Sequence, residues 1–495
     1  MNETPKKQTG RPALTGRFFR WLFRRQTQRR ALIGLAALAT LVAIFYLEED
    51  WRGKRAWEIC KTGLKAKGEM LDWNAYISPP VPDDQNFFKA TKMAARFVKL
   101  PAMPNRWVSA DDFTESKEFS KRLNSNTNTT ATIKTEPAAR DYLAWSDQLE
   151  PDFDLLREAL KRPYARMDGD YSIPYMQPIP NFIAVRKVAQ VLVQRAKCDL
   201  LLGQPDKALQ ELTLLHDMCR LMEAAPTGKP LTLVAAMING AVTGLYVDTL
   251  ATGLQSHAWQ EPQLAALQKQ LAEINLTPLL LQSLQEEPAA VCRDIEIAPR
   301  PKFFGLFDMR DHAKWTDKLG WWLWPRGWIY QNMVNVAVLE LKPLDGFDLA
   351  HDTVAPHKFD ETARELDKFF RHNSPYKVLA AIVIPNFTKA EQTTAHNQTM
   401  ANEAQTVCAL ERYRLANGMY PETLDALVPQ FIEKLPHDII GGKPLIYRPT
   451  ADQPSPSSGA ASGKFLLYSV GWNEMDDGGL DGGNDFPKGD CVWKN

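Results

Sequence analysis

Net charge is the first thing this chain does without. Its 59 Lys and Arg balance 59 Asp and Glu over 495 residues. The balance is lopsided: residues 1–30 hold nine Lys or Arg against one acid, a net of +8, so residues 31–495 sum to −8. An acidic body with no basic patch interleaved with aromatics excludes nucleic acid as its partner. Paired cysteine is missing too. Cys60, Cys198, Cys219, Cys292, Cys408 and Cys491 form no Cys-x-x-Cys, so zinc and thioredoxin-type chemistry find no support. His351 and His357 stand six apart in a loop stretch, and His312 and His372 are isolated; none has metal spacing. There is no Gly-x-Ser-x-Gly and no His-Glu-x-x-His, and Gly228-Lys229 and Gly442-Lys443 run into proline instead of a phosphate loop.

What is present begins with an apolar run. Residues 31–47 are 17 uncharged residues, about 26 Å as a helix and near the lower limit for crossing a bilayer. Arg29 and Arg30 precede the run, Glu48, Glu49 and Asp50 follow it, and Phe45, Tyr46 and Trp51 form an aromatic belt. Positive-inside bias predicts a single-pass helix in a bacterial inner membrane, with residues 1–30 a basic cytoplasmic tail and everything after Leu47 extracytoplasmic, in the periplasm. The rival is a cleaved signal peptide. Ala37-Leu38-Ala39 has the small-residue pattern, but inside the apolar run rather than after it. The helix is expected to continue from Trp51 to about Lys67 as a stalk ending near Gly68.

Residues 48–135 read as stalk, extended segment and linker. The prolines of Pro79-Pro-Val-Pro82 exclude helix and favour a strand-like segment laid over the next domain. Residues 123–135 are rich in Asn, Thr and Ser. A helical domain follows over 136–375. Val185, Val188, Ala189, Leu192, Ala196 and Leu200 make one apolar stripe, Gly203-Gln-Pro-Asp206 a turn, and Ala208, Leu212, Leu215, Cys219 and Met222 a second stripe. A helical hairpin is predicted, across which Cys198 and Cys219 could pair. Residues 231–247 are also uncharged and could be a second membrane helix. Thr232, Asn239 and Thr243 lower the hydrophobicity and Asp248 follows at once, so a buried central helix is expected. Further helices are expected over 263–274 and 278–287, the second stopped by Pro288. Glu286-Glu287 is a candidate acid pair, but adjacent helical residues face apart, and a surface position is expected. Residues 303–330 concentrate aromatics, among them Phe303, Phe307, Trp321, Trp324, Trp328 and Tyr330. That is a core wall, a partner surface or a membrane-facing patch.

From residue 376 onward the pattern changes. A helix over about 401–415 puts Ala404, Cys408 and Leu415 on one stripe and leaves Glu411, Arg412 and Arg414 mostly wet. Asn417-Gly418 stops it. A short helix over 423–428 precedes two strands, at 444–448 and 464–469, separated by a Pro, Ser and Gly linker. Asp476, Asp477, Asp481, Asp485 and Asp490 then lie among glycines, and clustered carboxylates on a flexible loop suit calcium.

This order runs from Leu379-Ala-Ala-Ile-Val-Ile-Pro-Asn-Phe387 through Ala409-Leu-Glu-Arg-Tyr-Arg-Leu-Ala-Asn-Gly-Met-Tyr-Pro421 to the glycine loop Asp476-Asp-Gly-Gly479. It resembles the body of a type II secretion major pseudopilin. The resemblance implies a C-terminal α+β domain over 376–495 and a calcium site with Asp476, Asp477 and Asp481 as ligands. The residues before Leu379, Arg364-Glu-Leu-Asp-Lys-Phe-Phe-Arg371, are charged, so processing and polymerisation as a pseudopilin are not expected. Leu202-Gly203 and Lys207-Ala208-Leu209 resemble a tetratricopeptide hairpin, in a single copy. The stretch around Pro79-Pro-Val-Pro82 and Pro325-Arg-Gly-Trp-Ile-Tyr-Gln-Asn332 resembles a family of uncharacterised bacterial membrane-anchored proteins with the same tail. The expected molecule is mainly α with a small C-terminal α+β domain. It is a membrane-anchored scaffold or interaction protein, with protein partners on the helical domain or the aromatic stretch. The alternatives are an enzyme with scattered site residues on the helical domain, which requires titratable groups converging in a cleft, and a peptide- or ligand-binding sensor, which requires a concave helical face.

Overall fold

The apolar run opens one unbroken helix, α1 (Arg25–Ala66), of 42 residues. Gly68, at φ +88°, ends the stalk where expected. The structure is a computed structural model describing residues 25–98, 136–223, 232–297, 323–372, 374–384, 387–450, 464–482 and 488–493. The basic tail before residue 25 and the linkers at 123–135 and 451–463 lie outside these. The chain is mainly helical, with a small antiparallel sheet and an N-terminal apolar helix.

After α1 the proline-rich segment lies over the body, as expected. Asn86 bridges to Tyr164 and Val98 to Pro180, while Phe87, Phe88 and α2 (Met93–Phe97) turn their apolar faces inward. α3 (Glu136–Ser146) and α4 (Glu150–Leu160) lead to the hairpin of α5 (Phe182–Leu201) and α6 (Pro205–Cys219). Asn181 caps α5 by accepting the Ala184 amide at 3.2 Å. Gly203, at φ +68°, makes the turn. α3, α6 and α7 (Leu233–Gln255) all pack on α5. α7 is the buried central helix expected near 231–247. All six cysteines are free thiols. Cys198 packs with Ala139 and Tyr142, and Cys219 donates to the Leu215 carbonyl, so the Cys198–Cys219 pairing does not form.

α8 (Glu261–Glu273) and α9 (Leu276–Ile297) come next. Here the sequence expectation fails: α9 runs straight through Pro288. An interior proline costs about 3 kcal/mol, but Leu280 and Leu284 before it and Ala289, Cys292 and Ile295 after it are all buried. Burying each large side chain returns about 1.5–3 kcal/mol, so packing on both sides of the proline outweighs the break.

α10 (Arg326–Glu340), a two-residue hairpin of β1 (Phe347–Asp348) and β2 (Thr353–Val354), α11 (Pro356–Phe370) and α12 (Val378–Val383) lead to α13 (Thr388–Asn417). Gly418, at φ +77°, terminates α13 as predicted. The short helix near 423–428 is a single 3-10 turn, Leu424–Leu427. β3 (Ile446–Thr450), β4 (Lys464–Ser469) and β5 (Cys491–Val492) form an antiparallel sheet in that order, with Tyr447 opposite Leu467 and Ser469 opposite Cys491.

The main core runs from Phe87 and α5 through α7 and α8 into α13, and on to Leu427, Phe431, Phe465 and Trp493. It crosses residues 375 and 376 without a gap. A second cluster of Trp57, Cys292, Ile295, Met333, Val336, Leu379 and neighbours ties α1 to α9, α10 and α12.

Candidate functional site

Exposed apolar surface and buried charge meet on α1. Leu32, Ile33, Leu35, Leu41, Ile44 and Leu47 are exposed, and nothing in the most apolar window is buried. Two residues beyond Leu47, Glu49 is only 5% exposed. Glycine permits that change. A Cβ on Gly53 would fall on the backbone of Gly327, and one on Gly327 would fall on the carbonyl of Glu49, so α1 and α10 touch backbone to backbone.

The contact is hydrogen-bonded throughout. The Asp50 carboxylate accepts the Gly327 amide at 2.8 Å, satisfying an open donor at the start of α10. Glu49 accepts from Arg52 Nη2 at 2.6 Å, Tyr376 Oη at 3.0 Å and Trp328 Nε1 at 3.1 Å. Burial works against the charge, but the Arg52 and Tyr376 donors outweigh it and hold Glu49 below the usual carboxylate range. The Tyr46 hydroxyl donates to the Leu323 carbonyl. Phe45 meets Trp328 edge-on at 6.2 Å, and Trp324 meets it at 5.5 Å. Asn332, fully buried, accepts the Leu379 amide at 2.8 Å and donates to Pro375 O at 2.8 Å, which fixes α12 to the same corner. Within the aromatic stretch 303–330, the described Trp324, Trp328 and Tyr330 serve this junction; residues 303–322 lie outside the described residues. Sequence reading took Glu49 only as one of three acids flanking the apolar run. The available signal was Gly53 one turn later, together with Gly327 in the quoted Pro325–Asn332 string.

The terminal loop is closed by its own donors. Asp476 Oδ1 accepts the Tyr468 hydroxyl and the Gly478 amide, each at 2.9 Å; the amide first, then the hydroxyl, pull its carboxyl below the ordinary range. Asp477 Oδ2 accepts from Asn473 Nδ2 at 2.8 Å. Asp490 takes the amides of Asp477 at 3.1 Å and Gly479 at 2.6 Å, and its backbone bridges to Asp481. Asp485 lies outside the described residues. Calcium needs about six to eight oxygens around one point. Among the described residues no group of three His, Cys, Asp or Glu side chains is placed to hold a metal ion.

The Glu286–Glu287 pair is not at the surface. Glu286 is 3% exposed, and burial, with Asp294 nearby, lifts Glu287 to about 7. Asp294 is likewise lifted by burial to about 7. Glu340 on α10 is fully buried with no hydrogen-bond partner for either oxygen, and burial followed by the Glu287 charge drives it well above the carboxylate range. None of these four lines the cavity of about 490 Å³ bounded by Trp57, Trp73, Cys292, Arg293 and Met333. Glu286 and Glu340 are buried, Glu287 and Asp294 half-buried, and none of the four lines a described cavity.

Comparison with protein-family models, with curated proteins and with solved structures finds no match to this chain.

Proposed function

We propose that this protein is a single-pass membrane-anchored scaffold whose body is held rigidly against its anchor on the extracytoplasmic side. One observation carries the reading: the exposed apolar segment of α1 continues without a break into the backbone contact at Gly53 and Gly327, under the buried Glu49. A flexible tether would need no such contact. Signal-peptide cleavage after Ala39 would leave Leu41, Val42, Ile44, Phe45 and Leu47 as bare apolar surface on a helix that the body still grips. Charge bias favours the basic N-terminus in the cytoplasm of a bacterial cell. The long α13 followed by an antiparallel sheet supports a pseudopilin-like end as a layout. That helix is packed by α7 and α8, which favours a fixed module over a filament subunit.

Alkaline extraction of membranes, intact mass and external proteolysis test the proposal together. The expected outcome is full-length chain resistant to extraction, with the body digested only from the extracytoplasmic side. Release of a chain starting near residue 40 would overturn it.

A further inference from the structure

Where α13 meets the terminal strand, three soft or borderline donors face a cavity of about 280 Å³. His396 and Met400 stand four residues apart and so share one face of α13. Cys491 comes from β5 on the other side. Its Sγ lies 3.4 Å from His396 Nδ1 and 3.5 Å from Met400 Sδ. Helix and strand, far apart in sequence, thus bring a thiol, an imidazole and a thioether to one point. All three line the cavity, as do Asp481, Lys488 and Asp490.

We propose that His396, Met400 and Cys491 form a three-coordinate site for a soft monovalent cation of the copper(I) class. The inference is independent of the membrane reading. With metal–sulfur bonds of about 2.3 Å and metal–nitrogen bonds of about 2.0 Å, a trigonal ion needs donors about 3.7–4.0 Å apart. The thiol-to-imidazole and thiol-to-thioether distances stand a few tenths of an ångström inside that, and Met400, a flexible unbranched side chain, can yield the difference.

The donor types select the ion. Thiolate and thioether together suit copper(I), whereas zinc and calcium want further nitrogen or oxygen donors. The adjacent carboxylate of Asp490 is already committed to two amides. Charge selects it as well. Copper(I) on one thiolate is neutral overall, the form a buried site tolerates best. Binding displaces one proton: the copper–sulfur bond forms, the S–H bond breaks, the proton leaves to water, and copper remains copper(I). Cys491 is otherwise held protonated, well above the thiol range, by burial and by Glu403, Asp438, Asp481 and Asp490.

The test loads the full chain in detergent with copper(I) under ascorbate, in competition with a copper(I) chelator, with silver(I) as a redox-inert probe. One copper per chain is expected, with an X-ray absorption spectrum of two sulfurs and one nitrogen. Cys491→Ser should abolish this uptake although five other cysteines remain. Met400→Leu, nearly equal in volume, should fold normally and bind at least tenfold more weakly. His396→Asn gives a second readout if Cys491→Ser does not fold. Equal uptake by wild type and Met400→Leu would overturn the site, as would equal uptake of zinc through the same residues.

Discussion

At the scale of single residues, α13 is where sequence periodicity was least informative. Ala404 and Cys408 are buried as the stripe required, but Leu415 is 42% exposed and Glu411, expected wet, is 5% exposed. Glu411 is held by Arg414, His257 and the Tyr420 hydroxyl. Two of those partners come from other parts of the chain, and no helical wheel contains them. Glu391 on the first turn of α13 is a sharper case. Burial, then the Asp360 charge, raises it to about 8. Its carboxyl is neutral in the folded chain and ionised in the unfolded chain between pH ~4.5 and ~8, so the folded state binds the extra proton there. Stability from this group is fully present below pH ~4.5 and falls as pH rises through about 8. Melting temperatures measured from pH 5 to 8 should therefore decline more steeply in wild type than in Glu391→Gln. Parallel curves would mean that Glu391 titrates normally.

At the scale of elements, helices whose apolar stripes face one neighbour were legible: α1 to Gly68, the α5–α6 hairpin with Gly203, and α7. Strand β4 was read with its observed bounds. What could not be read was any element set by a contact distant in sequence. α9 survives Pro288 because both halves are buried, and the meeting of α1 with α10 depends on glycines some 270 residues apart. That meeting has a direct test. In Gly327→Ala the new methyl falls on the Glu49 carbonyl, and neither backbone can move without losing the Asp50–Gly327 hydrogen bond. Overpacking typically costs about 1–3 kcal/mol, and a clash of backbone with backbone belongs at the upper end. Thermal unfolding should show a loss of about that size, with new protease cuts near residues 45–55. An exposed glycine such as Gly63, with no atom near its missing Cβ, should tolerate alanine.

At the scale of the whole molecule, the sequence reads as a string of parts, with a boundary at residue 376, whereas the core is continuous across it. Composition changes there, from helical stripes to strand and glycine loop, and a composition change is what a sequence displays. It does not display that α13 is wedged between α7 and α8. The N-terminal helix α1 follows the same logic. Bodies beginning at residue 45 and at residue 51 both lack most of the apolar segment and should be equally soluble in mild detergent. They differ in residues 45–50, which hold Glu49 and Asp50 together with Phe45, edge-on to Trp328, and Tyr46, which donates to the Leu323 carbonyl. Without the two acids, Trp328 Nε1 and the Gly327 amide lose their acceptors, and Arg52 loses its nearest carboxylate. Hydrogen bonds to charged groups contribute about 1.5–3 kcal/mol each, so the shorter body should melt at a distinctly lower temperature. Coincident melting curves would make α1 a tether that happens to touch the body. A clear gap would make the first turn of α1 after the apolar segment part of the folded unit, and under the proposed membrane reading the body's orientation would be set by the fold itself.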